Sequence, residues 1–260
     1  MTSINLAGRT ALVTGASRGI GRGIALALAE AGADVAVNYA RDEAAAAETV
    51  AAVEALGRRA KAYHANVTDE DACAAMVSAI ESDLGPLSIL INNAGVASRG
   101  QSVAKTDTGE VEKLLAIHAA GPHRLSRLAL PQLRQHDRSD IIVISSVATL
   151  SHAPNGAPYN MAKAAGEALA LTLAKEEVKH GVRVNIVSPS LTVSDMGSRL
   201  SRAITGQEDI HHLDAKFPFG RVSLPSDVAA AVLWFVSDAN PYCSGQKLNI
   251  DGAGMASFRD

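Results

Sequence analysis

Thr14-Gly15-Ala16-Ser17-Arg18-Gly19-Ile20-Gly21 follows the apolar run Ala11-Leu12-Val13 and opens an amphipathic helix. Glycine takes positive φ at little steric cost and lets a backbone approach a pyrophosphate, while the free N–H groups of a helix N-terminus meet the phosphate charge. Strand, glycine turn and helix in that order are the context a dinucleotide-binding turn requires. The competing reading is a glycine-rich turn that only packs, and the flanking strand and helix weigh against it. Gly15, Ser17, Arg18, Gly19, Ile20 and Gly21 are therefore candidate cofactor-binding residues.

Outward from this turn, short β-rich runs alternate with longer Ala-rich helical stretches, the sign of repeated βαβ units and a parallel α/β sheet. Strands are predicted near Thr10 to Thr14, Asp34 to Asn38, Ala60 to Ala65, Ser88 to Asn92, Ile141 to Ser145, Arg183 to Val187 and Lys247 to Ile250. Helices are predicted at Ile20 to Ala31, Asp42 to Leu56, Asp69 to Asp83, Asp107 to Gln135 and Tyr159 to His180. The polar stretch from Pro189 to Leu224 breaks the rhythm and reads as a lid inserted over a pocket (189–224). No repeat or linker divides the chain, so residues 1–260 read as one domain, with a flexible end after Gly254.

With a formal net charge of −3 and scattered basic residues, the chain carries no footprint for nucleic acid or an anionic membrane. The start, Met1-Thr2-Ser3-Ile4-Asn5-Leu6, shows no leader pattern, and no apolar run reaches the roughly 18 residues of a membrane span. A cytoplasmic location is the expectation. Cys73 and Cys243 lack C-x-x-C spacing and read as inert thiols, and His211-His212 with Asp214 resemble no spaced ligand set, so no metal is expected.

Which dinucleotide is decided at the end of the second strand, where an acid would bond a ribose 2′-OH and repel a 2′-phosphate. Asp34 stands at that strand's beginning; its end carries Asn38, Tyr39, Ala40 and Arg41. Arg41 and Arg18 could clamp a phosphate, which favours NADP(H), with NAD(H) possible. The opposing reading pairs these arginines with Asp42 or Glu43 as surface charges.

Tyr159 and Lys163 are spaced i, i+4 and share a helix face. A nearby ammonium favours the phenolate and is expected to pull the phenol toward working pH, where it can exchange the proton that accompanies hydride transfer. Ser145 and Ser146 end the strand Ile141-Ile142-Val143-Ile144, at the edge where open α/β sheets bind ligands. Each pattern is common by itself; the glycine turn makes the combination informative.

Thr14 to Gly21, Asn92-Asn93-Ala94-Gly95, Ser146, Tyr159-Asn160-Met161-Ala162-Lys163 and Ser244-Gly245-Gln246 together resemble the short-chain dehydrogenase/reductase family. The likeness runs from about Leu6 to Gly252, with Ser146 thirteen positions before Tyr159. It is closest to the 3-oxoacyl-carrier-protein reductases and glucose-dehydrogenase-like members. The resemblance implies a Rossmann-type, doubly wound seven-stranded sheet and a homotetramer. It implies Tyr159 as acid/base, Ser146 on the substrate oxygen and Lys163 also on the nicotinamide ribose. It further places Asn66 and Val67 beside adenine, Asn93, Ala94 and Gly95 along the cofactor, and Pro189 and Thr192, in the loop to Ser194, at the carboxamide.

Two positions depart from the family pattern. His118 stands where the family has a relay asparagine, and an imidazole can carry charge near pH 7. Ser190 replaces a glycine after Pro189 and would be strained if that position needs φ above zero. Substrate walls are expected from Ala97, Arg99, Ala148, His152, Asn155 and Met196. Asp137 and His180 occupy the positions matched to the carrier-binding basic residues, which disfavours a carrier-bound substrate. The leading expectation is an NADP(H)-dependent oxidoreductase interconverting a small-molecule ketone or aldehyde and its alcohol. The alternatives are an NAD(H)-dependent alcohol or sugar dehydrogenase, and a catalytically impaired nicotinamide-binding regulator.

Overall fold

Seven apolar runs become seven strands in a computed structural model that describes residues 4–253, save the side chains of residues 203 and 204. The stretch expected to be flexible after Gly254 lies outside the described residues. The strands are β1 (Thr10–Val13), β2 (Asp34–Tyr39), β3 (Ala60–His64), β4 (Ile89–Asn92), β5 (Ser139–Ile144), β6 (Val182–Pro189) and β7 (Lys247–Ile250). All pairings are parallel, in the order β3-β2-β1-β4-β5-β6-β7. Every residue of β1, β2, β4, β5 and β6 is buried, as expected where helices cover both faces of a parallel sheet.

The helices are α1 (Gly19–Glu30), α2 (Glu43–Ala55), α3 (Glu70–Leu84), α4 (Thr108–Leu115), α5 (Gly121–Leu133), α6 (Ala148–Ser151), α7 (Ala157–Glu177), α8 (Asp195–Thr205) and α9 (Pro225–Val236). One core joins Ile24 and Leu28 of α1, Val53 of α2 and Phe235 of α9 to Val13, Val35 and Val37 of the sheet. The other joins Ile80 of α3, Leu125 of α5 and Leu173 of α7 to Leu12, Leu90 and Ile141. The architecture is the doubly wound, Rossmann-type α/β fold. Among the described residues, no helix is long and apolar enough to cross a membrane.

Three elements differ from the sequence reading. The single helix expected from Asp107 to Gln135 is α4 and α5 joined by a π turn over Ala116–Ala120. Pro122 has no N–H for the carbonyl four residues back, that of His118, and the helical ladder widens there. The stretch 189–224 is not simply loop: it holds α8 and 3₁₀ turns at Ile210–Lys216 and Pro218–Gly220. α9 then follows, begun by Pro225 and covered by the core.

The topology positions the site. Strand order reverses between β1 and β4, and a crevice opens beyond carboxyl ends at such a switch point. Val13 is level with both Val37 and Ile91, so the loops leaving β1, β2 and β4 emerge at one height. The amino ends are closed by charge instead. Asp34 pairs with Arg58 and Arg59, each at 2.7 Å, and fully buried Asp140 pairs with Arg9 at 2.8 Å and Arg183 at 2.6 Å.

Candidate active site

The glycine turn takes its shape from β4. Thr14 Oγ1 accepts the N–H groups of Asn93 (2.8 Å) and Ala94 (2.9 Å), and Asn93 Nδ2 donates to the carbonyls of Thr14 (2.7 Å) and Gly15 (3.2 Å). From β2, Asn38 Oδ1 accepts the Gly15 N–H at 3.2 Å. Gly15 sits at φ +61°, and a Cβ on Gly21 would run into the Gly15 carbonyl and lie 2.5 Å from Asn93 Nδ2. Side chains cap α2, α3, α4 and α8, from Asp42, Asp69, Asp107 and Ser194 respectively, whereas Arg18 leaves α1 uncapped. An uncapped helix N-terminus behind a backbone cradle too tight for a Cβ fits the pyrophosphate of a dinucleotide. Ser17 lies in the turn and Gly19 and Ile20 open α1 beside it, each half-buried.

At the rim beyond β2, Arg18 is engaged: its guanidinium pairs with Asp42 at 3.1 Å and Asp195 at 2.9 Å. Arg41 is exposed and makes no ion pair among the described residues. Tyr39 is buried with its ring 5.4 Å from that of His64. Asp34 is tied down at the opposite edge, leaving the end of β2 without a strand carboxylate. Beyond β3, Asn66 is exposed and Val67 buried, the Val67 carbonyl accepting from Arg124 Nη1 at 2.6 Å.

Tyr159 and Lys163 lie in the first turns of α7, which begins two residues earlier than expected, with Pro158 in its opening turn. Lys163 is buried, its Nζ donating to the Ile144 carbonyl at 2.7 Å and standing 5.6 Å from the Tyr159 ring centroid. Ser146, just past β5, stands close enough to the Tyr159 phenol to oppose its upward shift, and its Oγ accepts the Ala148 N–H at 3.2 Å. The three residues named from the sequence thus converge.

The electrostatics differ from expectation. Burial pushes the Tyr159 phenol up to about 12, with the Ser146 hydrogen bond pulling the other way, rather than Lys163 drawing it down. Burial also brings Lys163 down to about 8, opposed by the charge of Glu167. Glu167 belongs to a polar cluster that sequence reading passed over, since its partners are scattered along the chain.

His118, in the π turn, is buried and set edge-on to Tyr159 with ring centroids 5.3 Å apart at 81°. Burial and then Lys163 depress it to about 3, so the expected charge near pH 7 is absent. Its Nε2 lies 2.9 Å from the Val96 carbonyl and 3.3 Å from the Val96 N–H, holding the loop that leaves Ala94 and Gly95, while buried Nδ1 has no partner among the described residues. A Cβ on Gly95 would lie 2.6 Å from His118 Cε1, so histidine here requires glycine there.

Ser190 is not in the positive-φ region, and the strain expected of it is absent. Its N–H donates to the Ile250 carbonyl (3.0 Å) and its carbonyl accepts from Thr192 Oγ1 (3.0 Å), while Pro189 closes β6. The left-handed non-glycine residues near the site are His152 (φ 46°) and Asn155 (φ 64°), both exposed between Ser146 and Tyr159. Cys73 is buried, its thiol pushed up to about 11 by burial. His211 pairs with Asp214 at 3.0 Å, and no metal-holding cluster exists among the described residues.

Comparison with known proteins agrees with this geometry. A family model described as enoyl-(acyl carrier protein) reductase matches residues 15–255. The chain is 36% identical to the 3-oxoacyl-(acyl-carrier-protein) reductase FabG of Staphylococcus aureus, over 94% of this chain and 97% of that protein. It is 32% identical to the L-rhamnose 1-dehydrogenase (NAD(P)(+)) of a Sphingomonas species, over 95% and 96%. Among solved structures, the angucycline C-6 ketoreductase LanV with bound NADP superposes with a TM-score of 0.86 at 34% identity, covering 95% of this chain and 96% of that one.

Proposed function

The chain belongs to the short-chain dehydrogenase/reductase family, and we propose that within it this protein is an NADP(H)-dependent reductase of small-molecule ketones or aldehydes, with Tyr159 as proton donor. The observation that carries this reading is the meeting of Tyr159, Ser146 and Lys163 at the carboxyl end of β5, across from a turn shaped for a dinucleotide. When bound, the nicotinamide supplies or takes the hydride. Ser146, beside the phenol, orients the substrate carbonyl, and Tyr159 gives its proton to that oxygen. A phenol raised to about 12 keeps its proton at neutral pH and is available as donor when a carbonyl is reduced. Lys163 replenishes charge beside the phenol and binds the ribose. Asn66 and Val67 flank adenine, Asn93 to Gly95 line the cofactor, and Pro189 and Thr192 meet the carboxamide under the 189–224 lid.

The absence of a carboxylate from the end of β2, together with the unpaired Arg41, supports NADP(H). A second reading, dual use of NAD(H), is favoured by the pairing of Arg18 with Asp42 and Asp195, since reaching a 2′-phosphate means leaving both partners. Titration with NADPH and NADH, followed by nicotinamide fluorescence, separates the two. A preference for NADPH of tenfold or more, about 1.4 kcal/mol, supports the arginine clamp, and a preference for NADH overturns it.

The substrate is a free small molecule rather than a carrier-bound one, given Asp137 and His180, both exposed, at the positions matched to carrier contacts. The family likeness also supports a cytoplasmic homotetramer, which sedimentation of the purified protein reads. The reaction is tested on a panel of ketones, β-ketoesters and sugars with Tyr159→Phe as control. NADPH-dependent turnover lost in the variant supports the reading; full activity in Tyr159→Phe overturns it. Tight nicotinamide binding without turnover supports the regulator instead.

A further inference from the structure

Tyr159, Lys163 and Glu167 follow one another at four-residue spacing on α7, but Glu167 turns toward other elements. Its Oε1 accepts from Ser145 Oγ at 2.5 Å and from Thr149 Oγ1 at 2.8 Å, joining the end of β5 and α6 to α7. From β7, Lys247 Nζ reaches Glu167 Oε1 at 2.8 Å and Oε2 at 3.0 Å, and Thr149 Oγ1 at 2.7 Å. The side chains of Glu167 and Lys247 are only 15% and 22% exposed, so the bridge is poorly screened by solvent.

Ser146 sits inside this cluster. On one side Ser145 is held by its hydroxyl to Glu167 and by its N–H to the Val187 carbonyl at 2.8 Å. On the other, Thr149 Oγ1 lies 2.9 Å from the Ser146 carbonyl. The cluster also flanks Lys163. The groups facing Lys163 are Tyr159 and Glu167 from its own helix, uncharged His118 from the π turn, and the Ile144 carbonyl from β5, with Lys247 reaching it only through Glu167.

We propose that Glu167 is a positioning residue for the reaction. Its carboxylate fixes the backbone on both sides of Ser146, and the balance between its charge and that of Lys247 sets the field at Lys163. This rests on the reading of the site given above. The two charges act on Lys163 with opposite signs: Glu167 opposes the burial that depresses Lys163, and Lys247 offsets Glu167. Removing the carboxylate charge therefore favours neutral Lys163, and removing the Lys247 charge favours its ammonium. A merely structural bridge gives no such reversal.

The test uses the full chain, with Glu167→Gln, which keeps an acceptor for Ser145 and Thr149, Lys247→Met, and Glu167→Ala. The Lys163 ammonium is titrated by NMR in lysine-labelled protein and assigned with Lys163→Arg. The midpoint is expected to fall by about one pH unit in Glu167→Gln and to rise in Lys247→Met. In Glu167→Gln, kcat with NADPH should fall about tenfold with the cofactor KM unchanged, and its alkaline limb should move to lower pH. Glu167→Ala should lose a further factor as Ser145 and Thr149 are released. Unmoved midpoints, or midpoints moving the same way in both charge variants, overturn the proposal; so does a loss of kcat that only follows a loss of Tm. Wild-type protein without NADPH-dependent turnover but with opposite midpoint shifts overturns the reaction and leaves the electrostatic role of Glu167 supported.

Discussion

At the amino ends of the strands Asp34 and Asp140 are buried carboxylates, each gripped by two or more arginines; at the carboxyl ends some polar groups around the glycine turn and Tyr159 are left with capacity to spare. There, among the described residues, α1 has no side-chain cap and His118 Nδ1 no partner, and the Tyr159 phenol is desolvated beside a depressed Lys163. A buried charge held on all sides contributes to stability only as long as every partner stays. A group left under-satisfied keeps a bonding direction for a ligand. The same seven strands thus carry a closed edge and an open one, and changes at the two should be felt by different measurements.

The largest effect is expected from Tyr159→Phe at the open edge. Its kcat should fall by about 10³-fold, in the range of lost general acid catalysis, with Tm and nicotinamide Kd unmoved. The converse change is Asp140→Asn, which leaves Arg9 and Arg183 without their carboxylate. Denaturant unfolding should show a loss of about 3–4 kcal/mol, with kcat/KM of the folded fraction unchanged. A large loss of activity in the folded Asp140→Asn protein would mean that the two edges are coupled.

Gly21→Ala comes next, since the added methyl meets the Gly15 carbonyl and the Asn93 amide. Nicotinamide Kd should rise about tenfold, roughly 1.4 kcal/mol, with a smaller fall in Tm. The smallest effect belongs to Asp34. Burial works against its carboxylate, but the Arg59 hydrogen bonds and the Arg58 and Arg59 charges hold it below its ordinary value. Its contribution is therefore present above the unfolded carboxylate range and lost as pH falls through the lower folded value. The Tm gap between wild type and Asp34→Asn should stay constant from pH 7 to about pH 5 and close progressively below about pH 4. A gap that instead widens on acidification would show that burial, not the arginines, dominates there.

Much of this plan was legible in the sequence because parallel, doubly covered strands are continuous apolar runs. Ile141 to Ile144 is one of them, and Lys247 to Ile250 matches its strand to the residue. Tyr159 and Lys163 were legible because a helix places i and i+4 together, and Ser146 because it ends a strand. The π turn was not, since its cause is one missing N–H at Pro122 within an unbroken helical pattern. The shifts of Tyr159 and His118 were hidden too, being set by desolvation that only packing creates. Glu167 carries no signal in the sequence, because Ser145, Thr149 and Lys247 lie 22, 18 and 80 residues away.

The stitching of Thr14 and Gly15 by Asn93 bears on the order in which the protein is made. A growing chain that has just finished α1 holds every glycine of the turn but none of the bonds that shape it. The Ile91 carbonyl, the Asn93 amide and the Ala94 N–H are synthesised about 80 residues after Thr14. Until β4 docks beside β1 the segment is chemically complete yet formless, because contacts so distant in sequence close late. The shape of the phosphate turn therefore waits on Asn93 and Ala94 and does not follow from the turn's own residues alone.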